Sequence, residues 1–444
     1  MRLRFLLSLS FVLASGLPIP CLAASVPPGY AVDLIRGDLD FPVAVRFAPD
    51  GRVFYLEVHT GQIKIFPDPG YSWASVPVDV AGERGLLGIA LHPDFPDSPY
   101  VYVYHTHPSP LANRVVRLKD IGGVGVDYTT LLSLPASSSF HHGGRLAFGP
   151  DRMLYVTYGD QQAASAAQDN NDVRGKILRL GPGGKPAPGN PFGPTNPAAA
   201  KGVRNPFGLC FDPRDGTGYF TENGPECDDE VNLLTLGANY GWATNDACGS
   251  QPSGAHPALV TYSPTIAPTG CCLYRGSAYG GHLDGDLFFG SYNDGALRRI
   301  VFEPGSVDQV DSVDVFAQFG ESVTDVTTGL EGMLWVTTSS GLWRIRPAGV
   351  TSVGPPPSGL SFRAGPNPFS GMVSFDLSRD ASFQTLQVLD LQGRRVRDWP
   401  VSGLPSLAWD GSDELGREVP AGIYFARAQG TNGTVTIRLV RVGR

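Results

Sequence analysis

The sequence predicts an all-β chain: a six-bladed β-propeller followed by a small Ig-like β-sandwich. Three observations carry that reading. Glycine (56) and proline (39) are abundant and spread through the 444 residues, which points to many tight turns joining short strands. A theme of short apolar strands and Pro-Asp-Gly-like turns recurs six times at a spacing of roughly 40–60 residues, the period of propeller blades. A proline-bearing stretch, 348–360, then separates these repeats from a final segment with other motifs.

Each copy reads as an apolar inner strand, a turn, an aromatic-rich second strand and a third strand of alternating character. The first copy is 43–51, 53–56 and 61–65. The second is 85–95, 100–104 and 114–118; the third is 144–151, 154–157 and 175–180. The fourth is 208–213, 218–221 and 231–234. The fifth is degenerate, at 273–276, 285–290 and 296–302, and the sixth is 323–330, 334–337 and 341–345. A single blade cannot bury both faces, so neighbours stack around an axis. The early strand at 30–35 is left over to close the ring. The propeller is assigned to 27–347 and the Ig-like module to 361–444.

Composition narrows the partners. Hydrophobic residues make up 42% of the chain and mean hydropathy is −0.06, enough to build a core. A net charge of −8 argues against nucleic acid or an anionic membrane as the main partner. Met1-Arg2-Leu3-Arg4 is basic, 5–17 is apolar but too short to span a bilayer, and small residues follow. Residues 1–24 therefore read as a signal peptide. Export would put Cys210, Cys227, Cys248, Cys271 and Cys272 in an oxidising compartment. Five is odd, so one thiol stays over; Cys227 with Cys248 is the pairing chosen, closing a loop around an acidic cluster.

The C-terminal segment carries N-P-F at 367–369, V-L-D-L-Q-G-R-R-V at 388–396, W-D-G at 409–411 and A-G-I-Y-F at 421–425. These motifs resemble flagellar hook-capping Ig-like domains and type IX secretion sorting tails. The resemblance implies a secretion machinery as partner, and a secreted, cell-surface or periplasmic location in a Gram-negative bacterium. A carbohydrate-binding or spacer module is the plainer reading.

Three stretches carry candidate chemistry. His141-His142-Gly143-Gly144-Arg145 stands where a loop enters an inner strand, which on a propeller is the channel mouth. An imidazole can take a hydroxyl proton near neutral pH, although two histidines also read as metal ligands or turn residues. Arg204-Asn205-Pro206 opens the next blade at the same relative place. An arginine there offers a planar charged fork to an oxyanion, or pairs with a structural acid. Glu222-Asn223-Gly224-Pro225 is a turn whose carbonyls suit a hard cation, with Asp228-Asp229-Glu230 ligating or bracing it. Nucleotide, zincin and serine-hydrolase motifs have no supporting context.

Together G-E-R-G-L-L-G-I-A-L-H-P-D-F, H-H-G-G-R-L-A-F-G-P-D, R-N-P-F-G-L and E-N-G-P-x-x-D-D-E-V-N resemble the soluble glucose/sorbosone (aldose sugar) dehydrogenases, which use pyrroloquinoline quinone (PQQ). The likeness covers about 27–346. It implies His141 as the base for the sugar's anomeric hydroxyl, Arg204 and Asn205 as cofactor contacts, and the Gly224 and Pro225 carbonyls as Ca2+ ligands. It puts Glu83 where the glucose enzymes contact sugar. The implied partners are an aldose sugar or oligosaccharide and an external electron acceptor. Four positions depart from the pattern. Asn293, Ser322 and Thr324 stand where the glucose dehydrogenases carry a lysine and two arginines, and Phe140 replaces an acid. Arg298 or Arg299 could compensate. The family also contains hedgehog-interacting-type propellers, which makes a carbohydrate- or protein-binding propeller without redox turnover the alternative.

Overall fold

Residues 24–444 are described by the structure, a computed structural model, except 68–71, 245–246, 251, 351–362, 366, 368, 378–382, 391–393, 431–432 and 443–444. The leader expected at 1–24 thus lies outside the described residues apart from Ala24, as does the linker beyond residue 350.

Six four-stranded antiparallel sheets form the blades. Their inner strands are Pro42–Phe47, Leu86–Leu91, Leu146–Phe148, Pro206–Phe211, Pro268–Leu273 and Val323–Thr328. Successive inner strands pack side by side around a central channel. Second strands such as Leu154–Tyr158 and Leu334–Thr338 are buried along their whole length, as expected of strands sandwiched between sheets. The ring closes as the leftover strand suggests. Tyr30–Arg36 pairs antiparallel with Leu342–Pro347 and becomes the outermost strand of the sixth blade.

Two blade assignments are corrected. Each of the first five blades has a fourth, outer strand that the repeat did not reveal, for example Ala74–Ser75 and Val260–Tyr262. These strands are short or exposed and lack an apolar alternation. In the fifth blade the inner strand is Pro268–Leu273, not 273–276. The sequence Pro-Thr-Gly-Cys-Cys-Leu is poor in the β-branched and aromatic residues that mark strands.

A charged network crosses the channel. Arg145, 1% exposed, donates from Nη1 to the Val43 carbonyl (3.0 Å) and from Nη2 to the Thr324 carbonyl (3.4 Å). Its guanidinium is also 3.4 Å from Asp325, which in turn accepts from Arg46 Nη1 (2.7 Å) and the Val45 amide (3.3 Å). Blade three is thereby bonded to blades one and six.

The C-terminal module is two facing sheets. One holds Arg363–Gly365, Val373–Asp376 and Ser406–Trp409; the other holds Phe383–Leu389, Arg395–Pro400, Gly422–Gly430 and Gly433–Arg441. Phe375 and Trp409 from the first meet Leu386, Val388 and Ala426 from the second in one core, the arrangement of a small β-sandwich.

Candidate active site at the channel mouth

Inner strands begin at the mouth, so the residues just before them, and the turns after each second strand, surround it. His141 has φ +61°, a left-handed backbone uncommon for a residue with a side chain. Two bonds hold it there: its amide donates to Glu83 Oε2 (2.8 Å), and Gln161 Nε2 donates to its carbonyl (2.7 Å). Gly159 passes underneath, where a Cβ would sit 2.2 Å from the same carbonyl oxygen, so only glycine fits.

The ring of His141 is equally constrained. Nδ1 lies 2.6 Å from Asp160 Oδ1, and Asp160 Oδ2 accepts from Trp242 Nε1 at 2.7 Å. Asp160 is 1% exposed and also accepts the Gln162 amide (2.8 Å). A carboxylate at Nδ1 makes that nitrogen the donor, which leaves Nε2 as the basic nitrogen. Among the described residues Nε2 has no hydrogen-bond partner. Sequence reasoning missed Asp160. Its only signal was a Gly-Asp pair directly after the second strand of the blade that carries His141.

Neighbouring His142 has a different fate. It is fully buried, with Nδ1 3.1 Å from Asn113 and Nε2 3.1 Å from the Ser138 carbonyl. Burial depresses its pKa to about 4, with Arg84 adding to the effect, so it is a neutral structural histidine.

Arg204 lies over the Trp242 ring (5.5 Å) and donates from Nη1 to the Asn223 carbonyl (2.9 Å). Burial lowers its pKa, opposed by the Asp160 and Glu222 carboxylates, and a guanidinium remains charged throughout. Asn205 accepts the Gly143 amide (3.3 Å) and donates to Glu83 Oε2 (3.2 Å). With the His142 amide (3.4 Å), Glu83 Oε2 therefore accepts from three groups of the site. Phe140 stands at the rim, 47% exposed.

Asp229 shapes the Gly224-Pro225 turn. It accepts the Gly224 amide on one oxygen (2.7 Å) and those of Ile266 (2.6 Å) and Ala267 (2.7 Å) on the other, so it braces. Gly224 packs where a Cβ would be 2.0 Å from the Cys227 carbonyl. Asp228 also braces, accepting the Gly249 amide (2.7 Å), and Cys227 and Cys248 form the expected disulfide nearby. Gly224 and Pro225 line a cavity of about 60 Å³ together with Arg204, Glu222, Asp228 and Glu230. Glu222 and Glu230 face each other across adjacent strands. Burial, then the Glu230 charge, pushes the Glu222 carboxyl well up, and its Oε2 has no partner among the described residues. An orphaned acid oxygen in a cavity of carboxylates suits a hard cation.

The opposite side of the mouth differs. Asn293 donates to the Thr265 carbonyl (3.0 Å), and Thr324 points inward, its hydroxyl donating to the Pro42 carbonyl (2.6 Å). Neither Arg298 nor Arg299 compensates: the first is forked onto Asp294 (2.6 and 3.1 Å), the second onto Asp314 (2.6 and 3.1 Å). Nearby Lys64 is paired with Glu57 (3.0 Å).

Residues 39–345 match the model described as Glucose / Sorbosone dehydrogenase, and 366–434 match the FlgD Ig-like domain. An aldose sugar dehydrogenase of Escherichia coli is 27% identical over 352 residues, covering 72% of this chain and 94% of that enzyme. Quinoprotein glucose dehydrogenase B of Acinetobacter calcoaceticus is 32% identical over 47% of this chain and 51% of its own length. The PQQ-bound aldose sugar dehydrogenase of Streptomyces coelicolor superimposes with a TM-score of 0.62 at 28% identity, covering 72% of this chain and 99% of that one. Mouse hedgehog-interacting protein matches over only 34% of this chain and 25% of its own. With its channel mouth inside the matched region, the chain belongs to the glucose/sorbosone dehydrogenase family of quinone-dependent sugar dehydrogenases.

Proposed function

We propose that this chain oxidises aldose sugars at the channel mouth, with His141 Nε2 as the base that takes the anomeric hydroxyl proton. The observation that supports this is the relay His141–Asp160–Trp242, which fixes the tautomer and leaves Nε2 as the basic nitrogen, without a hydrogen-bond partner among the described residues. Asp160 then stabilises the imidazolium that forms, an electrostatic service that a bulk-exposed histidine lacks. Glu83 keeps His141 and Asn205 in register, and Arg204 presents its fixed positive charge where an oxyanion would develop.

The reaction side of the site fits both implied groups. Gly224 and Pro225 carbonyls with the neighbouring carboxylates would hold Ca2+, and Arg204 and Asn205 would hold the reacting end of PQQ. A bound quinone supplies the two-electron acceptor for the sugar's hydride, and the cation polarises its carbonyl. The other side supplies no free cation among the described residues for the carboxylates of PQQ. Each charge-assisted bond missing there costs roughly 1.5–3 kcal/mol. That deficit favours one second reading, a sugar- or protein-binding propeller without turnover. The basic, then apolar, then small-residue N-terminus and the Ig-like module support export to the surface or periplasm, with the module read by a secretion machinery.

The test is PQQ titration with and without Ca2+, followed by dye reduction over an aldose panel. Ca2+-dependent binding with turnover is expected, and His141→Ala should bind the quinone but not turn over. Absence of binding at micromolar quinone overturns the redox reading in favour of the second.

A further inference from the structure

The far end of the channel has its own chemistry. A cavity of about 320 Å³ opens there, lined by inner-strand residues of all six blades, among them Arg46, Ala90, Phe148, Cys210, Cys271 and Thr327. Cys210 and Cys271 lie on adjacent inner strands, 61 residues apart in sequence, with their sulfurs 3.3 Å apart. The Cys271 thiol points at Cys210, with the Tyr219 carbonyl 3.7 Å away. Cys272 is turned elsewhere, towards Thr328 Oγ1 (3.4 Å) and the Leu273 carbonyl (3.6 Å). Alternation along the strand thus pairs two of the three free thiols among the described residues and isolates the third.

We propose that Cys210 and Cys271 are an oxidisable dithiol that closes into a disulfide between blades four and five by exchange with an external disulfide. Cys210 is the more accessible partner, since Cys271 is 5% exposed. Its thiolate attacks one sulfur of the external disulfide, forming a mixed disulfide and releasing one thiolate. The Cys271 thiolate then attacks the Cys210 sulfur and releases the second thiolate. The external disulfide gains two electrons, the cysteine pair loses two, and the two thiol protons pass through solvent to the released thiolates. Closing 3.3 Å to the roughly 2.0 Å of a sulfur–sulfur bond needs a small side-chain rotation. Burial pushes the Cys210 thiol well up, so little thiolate is present at neutral pH. Exchange should therefore accelerate about tenfold per pH unit while the thiol remains mostly protonated.

The bond would act on the two strands that frame the candidate site. Towards the mouth these strands are already bridged by Thr221, on the second strand of blade four, whose Oγ1 accepts the Gly208 amide (2.7 Å) and donates to the Thr269 carbonyl (2.7 Å). A disulfide at the far end would pin the pair at both ends. The inference stands apart from the sugar-oxidation reading.

Peptide mapping tests it. The full chain is incubated with glutathione disulfide, alkylated, and cleaved after Arg and Lys without reduction. Cys210 then lies in the peptide 205–214, and Cys271 and Cys272 in 215–275. The expected product is 205–214 joined to 215–275, forming faster at pH 9 than at pH 7. Cys272→Ser should keep the link. Cys271→Ser should lose it and carry glutathione on Cys210. The oxidised wild type should also melt at a higher temperature than the reduced form. Two results overturn the proposal: 205–214 remaining unlinked in the wild type, or a link that survives Cys271→Ser and disappears in Cys272→Ser.

Discussion

Blades two to four bring to the mouth a continuous set of bonded groups: Glu83, His141, Asp160, Arg204 and Trp242. Blades five, six and one bring Asn293, Ser322 and Thr324, with their nearby cations already paired to acids. On the proposed reading, the first half would move a proton and meet developing negative charge. In the second, Asn293 and Thr324 are neutral and donate to backbone carbonyls of their own surroundings. On that reading, the contrast teaches that proton transfer and the grip on the far end of the cofactor can vary independently on one propeller, because they would fall to different blades.

The sharpest way to break the comparison is to disable the ordered half. His141→Ala should lower kcat about 10²–10⁴-fold, the usual worth of a positioned base, while leaving the melting temperature near that of the wild type. Asp160→Asn should lower kcat with little change in the sugar KM, because it disturbs the tautomer and not the substrate contacts. Unchanged turnover in either variant would remove the ordered half from the chemistry. Next in size is the bond between the halves. Arg145→Met leaves the buried Val43 and Thr324 carbonyls without their donor, while Asp325 keeps Arg46, and should cost about 1–3 kcal/mol in urea unfolding.

The neutral half is sharpened by adding what it lacks. Asn293→Lys with Ser322→Arg should tighten PQQ binding by about 10–100-fold for each charge that meets a carboxylate. The same pair should not alter affinity for a quinone without carboxylates; equal gains for both would mean the added charges act only at long range. The smallest effect concerns acid. Burial holds the pKa of His142 and His105 at about 4 in the folded protein, below the ordinary value of about 6.5. The unfolded chain then binds more protons between these values, so their contribution is complete above pH 6.5 and is lost as pH falls to about 4. His142→Gln should flatten the stability slope in that window by up to one proton. A slope identical to the wild type would show that His142 is not held neutral.

The propeller was legible because each inner and second strand repeats its turn chemistry, as in 43–51 and 144–151. The outer strands were not, since two residues such as Ala74-Ser75 carry no pattern. At the site, His141, Arg204 and the Gly224-Pro225 turn stood in motifs. Asp160 did not: its role comes from a turn that brings it under a histidine 19 residues earlier. Nor does the sequence distinguish His141 from His142. With a left-handed backbone at His141, one ring lies on Asp160 while its neighbour is buried on Asn113. The Cys227–Cys248 pairing was chosen correctly, whereas the Cys210–Cys271 contact needed the packing of adjacent blades.

The strand Tyr30–Arg36 completes the sixth blade, and its Asp33 is bonded to Arg344, 311 residues downstream. This closure sets a schedule for the chain's birth. The first strand among the described residues has no partner until nearly the last residue of the propeller has emerged. Until then two sheet edges, one at each end of the growing chain, stay available to any other extended segment. Long-range pairing of this kind is slow to find, and a partly built ring is prone to mispairing. A nascent chain held by a chaperone would be protected through that interval, and a chain truncated before residue 342 would never leave it.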